Sequence, residues 1–257
     1  MIRLRLGALL ALAVAFGAFS LPPEAMAAAE VHRLNVVISG MPSQIDGGGM
    51  NDYLGSFNQE WGVYYEPLDK ITFGWLWDAE ARYFVRPNFA LCAGVGYLKA
   101  TTKREYLPSI NSSINLRGDV RTVPVHVGGM YYLAPYNRGD FQARAYVGGG
   151  VLSLTNTRAR FSFSMAGMPS ADQNGTTEWT AWGDSPGYYA EVGAHAFFAA
   201  RYSVILGAIY HSMAVRELSG TVTWTGSQGT WTWTGPAGIS DLDLSGLGLR
   251  MALGIGF

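Results

Sequence analysis

The strongest constraint on this chain is a repeated alternation, with a period of two, between apolar residues and small or polar ones. Successive side chains of a β-strand point to opposite faces, so this period predicts strands rather than helices. Residues 71–85 show it most clearly, since every odd position is apolar whereas Asp78, Glu80 and Arg82 lie at even positions. Eight such segments predict strands at 33–40, 71–85, 89–101, 121–133, 141–155, 188–200, 202–215 and 243–257. The chain is therefore expected to be an all-β protein.

Composition indicates where the apolar faces of these strands lie. Only 14% of the 257 residues are charged, and 33 are glycine, against typical values of about 25% charged residues and about 7% glycine. The net charge of −1 gives no basic surface for nucleic acid. Cys92 is the single cysteine, which excludes a disulfide framework and any cysteine-rich metal site. Many aromatics and few charges suit a β-protein that turns apolar side chains toward lipid.

The first 29 residues have the pattern of a secretory signal peptide. Arg3 and Arg5 form a positive start, residues 6–19 are apolar, and small residues follow up to Ala27 and Ala29, where we expect cleavage. Residues 30–257 would then form one domain. No later stretch has the roughly 18 uncharged apolar residues of a transmembrane helix, so an exported chain of this kind is expected either to remain soluble or to cross a membrane as strands.

Two features favour a membrane barrel over a soluble β-sandwich, which would also alternate. Aromatic residues cluster at the strand ends, as expected at the membrane interfaces. The predicted connections also alternate between short turns and long loops, which is typical of membrane barrels. The short ones lie near 86–88, 135–140 and 200–201, and the long ones near 41–70, 102–120, 156–187 and 216–242. We predict an antiparallel, up-and-down transmembrane β-barrel of eight strands with long external loops and short periplasmic turns.

The end of the chain adds a family resemblance. Apolar residues alternate up to a terminal phenylalanine, at Leu249, Met251, Leu253, Ile255 and Phe257. This stretch resembles the C-terminal signal of bacterial outer-membrane β-barrels, which the barrel-assembly machinery reads. The domain as a whole resembles the small eight-stranded group, OmpA/OmpX-type or OmpW-type, and no motif selects one subfamily. The resemblance implies a monomer in the outer membrane of a Gram-negative cell, surrounded by outer-membrane lipid and without a cofactor.

Seven charged residues are predicted to face the barrel interior. A small barrel has an interior just filled by side chains, and buried charges there must be paired. We therefore expect a structural network that closes the lumen. A narrow path for ions or small solutes is the alternative, and OmpW-type resemblance extends it to hydrophobic solutes; a catalytic pair at Asp78 and Glu80 is a third reading. The predicted network comprises Arg33, Asp78, Glu80, Arg82, Arg144, Glu191 and Arg250.

The histidines give no support for an enzyme or a metal site. Some eight-stranded barrels modify lipid A, and a deacylase group among them carries His and Ser two residues apart on the lipid-facing side. Here His211 and Ser212 are adjacent, so a strand would point them to opposite faces. The four histidines show no spacing of two or four residues, so we predict no metal site. A non-enzymatic protein is favoured.

Two loop segments are candidates for an external contact patch. Tyr53, Phe57 and Trp61 recur every four residues, which predicts a helix over 52–61 with one aromatic face. This helix would either cap the barrel mouth or contact a partner. In the last long loop, two Thr/Trp alternations flank residues 226–229 and predict a hairpin.

The hairpin carries three tryptophans, Trp224, Trp231 and Trp233. They would either pair across its strands or form a ligand-binding tip. Because connecting segments often carry function on a rigid scaffold, the leading hypothesis is a surface barrel that acts as an anchor. Its loops would have a structural or interaction role with an external ligand that the sequence does not name.

Overall fold

The computed structural model describes residues 32–61, 66–109, 111–138, 140–170, 174–198, 201–236, 239 and 241–257. The predicted signal peptide at 1–29 lies outside these residues. Within them, no helix is both long enough and apolar enough to span a membrane.

Eight antiparallel strands form a closed ring, which confirms the predicted fold class. They are β1 (Leu34–Gln44), β2 (Phe73–Arg86), β3 (Phe89–Ser109), β4 (Ser112–Tyr132), β6 (Phe141–Ala166), β7 (Gly175–Phe198), β8 (Tyr202–Ser212) and β13 (Gly246–Gly256). Each pairs with the next along the chain, and β13 pairs with β1 to close the barrel. The smaller elements are α1 (Gly49–Trp61), β5 (Tyr136–Arg138), β9 (Ala214–Val215), β10 (Ser219–Gly226), β11 (Gly229–Pro236) and β12 (Leu242–Asp243).

A band of exposed apolar side chains surrounds the barrel. On β13 the outward residues from Leu247 to Phe257 are all exposed, and they alternate with buried residues such as Arg250 and Ala252. Aromatic residues border the band at both ends; Tyr202 and Phe257 lie at the end with the short turns. An apolar exterior that encircles a closed sheet is the pattern of a barrel in lipid. The predicted face alternation is therefore present around the ring.

Two of the segments predicted as long loops consist mainly of extensions of the ring strands. Segments 102–120 and 156–187 continue β3, β4, β6 and β7, which have 21, 21, 26 and 24 residues, whereas β1 and β8 have 11. Beyond the band the alternation persists, but the outward residues become polar, as where Arg117 lies between buried Leu116 and Gly118. A search for apolar outward positions misses this pattern. One side of the barrel therefore continues beyond the band as a sheet formed by these extensions. We call it the extended sheet, and we call this end of the barrel the extended end.

Helix α1 fills the barrel mouth at the extended end. Met50 and Leu54 are fully buried. The Tyr53 ring stacks on Trp179 of β7 with centroids 5.6 Å apart, and Phe57 packs on Phe161 of β6 at 5.0 Å. The helix predicted over 52–61 is confirmed and begins three residues earlier; the side chain of Trp61 lies outside the described part. Because Tyr53 and Phe57 face the sheet, the geometry favours a mouth cap over an exposed patch.

Two asparagines tie α1 to the segment that leads into β2. The Asn51 side chain accepts a hydrogen bond from the Ile71 amide (2.7 Å) and donates one to the Ile71 carbonyl (3.0 Å). Asn58 makes the same pair with Leu68, at 2.9 Å each. Each side-chain amide therefore satisfies backbone groups that have no strand partner. Gly47 precedes the helix with φ of 84°, and its amide donates to the Asp243 carbonyl, so the joint is a fixed turn.

Adjacent substitutions in α1 should have opposite effects. Leu54→Ala removes a fully buried side chain and should weaken docking of the helix by about 2–5 kcal/mol. Gly55→Ala adds a Cβ that meets no atom within 4 Å and should stabilise the helix by about 0.5–1 kcal/mol. Amide hydrogen exchange of α1 in micelles measures both, with faster exchange expected for the first variant and slower exchange for the second. A shift in the same direction for both would contradict this packing.

Candidate functional site

Five charged side chains converge in the centre of the barrel. Asp78, Glu80 and Arg82 come from β2, Glu191 from β7 and Arg250 from β13, and all five are buried. Strand alternation places the three β2 residues on one inward face. Residues far apart in the chain thus meet because the ring closes.

Arg250 joins carboxylates on two strands. Its Nη1 donates to Glu191 Oε2 at 2.8 Å, and its Nη2 donates to Asp78 Oδ2 at 3.1 Å and to Glu80 Oε1 at 3.2 Å. The guanidinium therefore links β13 to both β2 and β7. Such charge-assisted hydrogen bonds are the strong ones in a dry interior.

Arg82 makes a second set of links. Its Nε donates to Glu80 Oε1 at 2.6 Å, and its Nη1 donates to the hydroxyl of Tyr132 at 3.0 Å. Its Nη2 lies 3.5 Å from Glu191 Oε1, which also accepts a hydrogen bond from Tyr146. The two arginines and three carboxylates thus form one connected network, here called the central ion network.

Further polar side chains lie around this network. His126 Nε2 lies 2.9 Å from Asp78 Oδ1, and the Tyr132 hydroxyl lies 3.1 Å from His195 Nδ1. The Cys92 thiol lies 3.2 Å from the Tyr189 hydroxyl. His126, Tyr132 and His195 were not among the predicted network residues. Their positions in the alternation predict inward side chains, but the predicted network included only Asp, Glu and Arg residues.

Inward glycines make room for the large polar side chains. A Cβ on Gly193 or Gly207 would lie 2.8 or 2.9 Å from the Tyr146 hydroxyl oxygen, and one on Gly94 would lie 2.5 Å from His126 Nε2. Carbon atoms cannot approach so closely without displacement of the neighbour. The high glycine content therefore follows partly from packing inside a narrow barrel.

The described residues leave little empty space in the interior. A cavity of about 30 Å³ lies on the side of the central ion network that faces the extended end, between Met41, Leu76 and Ile209. That volume is enough for one or two water molecules. Helix α1 and its apolar neighbours lie beyond it, while Phe84 and Phe197 pack near the short-turn end.

Two predicted network members lie elsewhere. Arg144 is buried, but its guanidinium donates to Gln142 Oε1 at 2.7 Å and to the Pro87 carbonyl in the β2–β3 turn. It therefore ties the short-turn end together without joining the carboxylates. Arg33 is exposed and precedes the first residue of β1. The inward assignment of Arg33 is wrong because the strand begins one residue later, at the barrel rim, where side chains reach water.

Asp78, Glu80 and His126 could together hold a metal ion. Their ligand atoms all lie within 4.8 Å of one another. The expectation of no metal site used spacing along the chain and did not consider residues on different strands. Arg250 Nη2, however, already donates to both carboxylates, so a guanidinium occupies the position of a cation here.

The remaining predicted residues lie as the alternation suggests. His211 is buried and the adjacent Ser212 points to the other face of β8, which separates them as predicted from the sequence. The residues proposed as an assembly signal are all on the exposed face of β13 or just beyond it: Leu249, Met251, Leu253, Ile255 and Phe257. Their role in assembly stays a prediction.

The predicted Thr/Trp hairpin is formed by β10 and β11. Trp224 is directly opposite Trp231, and Trp233 is opposite Val222. Trp231 and Trp233 are 66% and 69% exposed. In the described residues β11 pairs with β10 alone, so it is the open edge of the extended sheet.

Comparison with known proteins gives structural similarity only. No protein-family model and no curated protein matches the sequence. Similar solved structures include the outer membrane protein OprG from Pseudomonas aeruginosa, with 12% identity over 88% of this chain and 97% of that one, and a TM-score of 0.45. The ring closure and lipid-facing band decide the fold class. The fold is that of a small outer-membrane β-barrel.

Two other similar structures are also outer-membrane proteins, and one of them is a protease. A major outer membrane protein from Thermus thermophilus has 13% identity over 88% of this chain and 100% of that one, with a TM-score of 0.40. The outer membrane protease OmpT from Escherichia coli has 10% identity over 91% of this chain and 99% of that one, with a TM-score of 0.42. Similarity at this level describes the barrel and leaves its activity open.

The central ion network should behave as one charge-balanced unit. Arg250→Met leaves buried carboxylates without this guanidinium and should lower the free energy of unfolding of the barrel by about 3–5 kcal/mol. Adding Glu191→Gln removes one of those carboxylates, so the double variant should be more stable than Arg250→Met alone. Urea unfolding in lipid vesicles, followed by tryptophan fluorescence, measures both variants. Arg33→Met is the matched control and should change stability by less than about 0.5 kcal/mol. A double variant less stable than Arg250→Met would refute the compensation.

Proposed function

We propose that this protein is a non-enzymatic outer-membrane barrel that anchors an interaction surface outside a Gram-negative cell. The pairing of charges in the central ion network and the packing of α1 in the mouth support a closed anchor. The contact surface is the extended sheet, and its open strand β11 receives an extended segment of another polypeptide.

Membrane orientation follows from the connections. In outer-membrane barrels the short turns face the periplasm and the longer connections face outside. The turn between β2 and β3 is short, whereas β6 and β7 extend far beyond the lipid band. The extended end is therefore the external one. Export by the signal peptide, assembly through the C-terminal strand and a monomeric state in outer-membrane lipid complete this proposal.

The observation that carries the interaction role is the composition of the β11 edge. Exposed strand edges are usually blunted by charged residues, proline or bulges. β11 contains no charged residue, its proline is at its last position, and it pairs with β10 without a register shift. Within the described residues, the other edge of the extended sheet is the outer part of β3, which carries Lys103, Arg104 and Glu105. The chain thus protects one edge and leaves the other open.

Strand addition suits this edge. A peptide that pairs with a free strand gains main-chain hydrogen bonds, and alternate side chains provide selectivity. Trp231 and Trp233 offer large apolar surfaces on one face of β11, with threonines on the other. Tryptophans are frequent anchors at protein interfaces.

Ion conductance distinguishes a closed anchor from the alternative hypothesis of a narrow channel. Because ion-paired and aromatic side chains fill the described interior, the purified protein in a planar bilayer should show no conductance steps. Steps that disappear in Arg82 or Arg250 variants would instead support the narrow channel. Insertion is verified in the same samples by resistance of the folded protein to protease.

Positive charge on the β11 edge should weaken peptide binding. A phage library of 12-residue peptides, selected on the wild-type protein in micelles, should yield peptides with alternating apolar residues. Trp231→Lys/Trp233→Lys should reduce their affinity at least tenfold, because lysine on an edge opposes strand addition. Tyr106→Lys/Leu107→Lys, on the edge of β3, is the matched control and should leave binding unchanged. Selected peptides that bind the β11 variant as well as the wild type would refute the proposal, as would a failure to select any.

A further inference from the structure

Three cations form a row across the outer wall of the barrel. Lys99 on β3 is directly opposite Arg121 on β4, which in turn is directly opposite Arg158 on β6. Each is exposed and has buried residues on both sides along its strand. All three side chains therefore point outward on one level, and this set is here called the basic row.

The basic row is electrostatically uncompensated. Like charges directly opposite each other on neighbouring strands are destabilising. Among the described residues none of the three has an ion-pair partner, because none comes within 4.0 Å of a carboxylate. Within the described residues, no direct ion pair therefore offsets the repulsion along the row.

Cations farther from the band are arranged differently. Arg117 pairs with Asp119 through its Nε, and Arg160 pairs with Glu178. The hydrogen bond from Arg117 to Asp119 raises the pKa of the Arg117 guanidinium. The extended sheet thus contains paired arginines one and two rows above the basic row, where Arg160 and Arg117 each have a carboxylate partner.

The position of the basic row is that of lipid headgroups. Trp75 is opposite Lys99 and Trp182 is opposite Arg158, and these tryptophans are 45% and 40% exposed. On β3 the next outward residue toward the band is Tyr97. Tryptophan and tyrosine concentrate at the interface between hydrocarbon and water, and long basic side chains extend to the same level.

Two carboxylates lie close to the row. Asp119 is the next outward residue to Arg121 on β4, and it accepts hydrogen bonds from Thr101 and Arg117. Asp184 lines a surface cleft of about 460 Å³ together with Arg158 and Trp182. It makes no ion pair with Arg158 within the described part of the chain. Because Asp119 is already paired with Arg117, the three cations and Asp184 leave this level positively charged. The cleft gives space beside Arg158 for part of a headgroup.

We propose that Lys99, Arg121 and Arg158 bind the phosphate group of a membrane lipid in the leaflet at the extended end. Neighbouring strands are about 4.7–4.9 Å apart, so the three cations can surround one phosphomonoester. Arginine forks bind phosphate oxygens in pairs, and lysine adds a point charge. A bound phosphate converts the mutual repulsion of the row into attraction. This site is independent of the β11 edge.

Heat-induced unfolding in dodecyl maltoside micelles tests the proposal, with phosphatidic acid as the lipid probe. Phosphatidic acid should raise the unfolding temperature of the wild type, and about 0.5 M salt should reduce the increase. Lys99→Gln/Arg121→Gln/Arg158→Gln should abolish the increase, and Arg121→Gln, which removes only the central cation, should weaken apparent lipid affinity at least tenfold. In lipid-free micelles the triple variant should unfold at the same temperature as the wild type or higher, because the repulsion is gone.

Three control measurements test whether the effect requires both the basic row and a lipid phosphate. Lys70→Gln/Arg138→Gln/Arg216→Gln removes the same charge from exposed positions outside the row and should keep the lipid-induced increase. Inorganic phosphate at the same concentration should have no effect, and neither should oleate, which is anionic but lacks phosphate. An equal increase in the triple variant, or in the wild type with inorganic phosphate or oleate, would overturn the proposal.

Discussion

Closure of the sheet between β1 and β13 is the constraint on which the rest of this structure depends. Lipid offers no hydrogen bonds to the backbone, so a sheet in a membrane must leave no open edge within the hydrocarbon. The pairing of Asn35 through Ser43 with Gly256 through Gly248 meets that requirement. A ring of eight strands has an interior only wide enough for side chains. The buried charges then have no access to bulk water and must pair with one another. The central ion network pairs all five, although Glu80 Oε2 and Arg250 Nε have no hydrogen-bond partner among the described residues.

Outside the hydrocarbon the same constraint is relaxed. There the sheet opens. β2 reaches only as far as its first residue, Phe73, whereas β3 continues beyond it, and β11 is a free edge. A bulge marks this change on β6, where the register shifts between Leu154 and Thr157 and Asn156 has φ of 52°. Bulges bend and twist a strand locally. The basic row lies at this level, so the change from closed barrel to open sheet coincides with the proposed lipid contact.

The sequence predicts the parts of the fold that depend on contact with lipid. Apolar residues on alternate positions revealed all eight ring strands, and the parity of Asp78, Glu80, Arg82, Glu191 and Arg250 placed them inward. Where water replaces lipid, polar residues are stable on the outer face, so the extensions of β3, β4, β6 and β7 carry no apolar signal on that face. Their alternating apolar residues, such as Leu116 and Phe161, point inward instead. The helical spacing of Tyr53 and Phe57 still predicted α1, because its aromatic face is buried against the sheet.

The sequence predicts which charged residues face the interior, but it does not predict which residues contact one another there. Arg33 has the same place in the alternation as the inward residues of β1. It nevertheless lies outside the strand, which begins at Leu34, and alternation does not define where a strand begins. His126 joins Asp78 across two strands, and contacts between strands depend on register. The basic row has the same origin, since Lys99, Arg121 and Arg158 are neighbours only after bulges and turns set the register. Residue type and parity are local properties, whereas partners are set by the whole ring.

The place of Arg250 on β13 has a consequence for the order of folding. The last strand of the chain supplies the guanidinium that contacts carboxylates of β2 and β7. Until that strand arrives, Asp78, Glu80 and Glu191 share Arg82 as their only arginine within the described interior, and they require hydration. Pairing of β13 with β1 therefore closes the ring and supplies the second arginine of the central ion network. The same strand completes the backbone hydrogen bonds of the seam and the ion pairs of the interior.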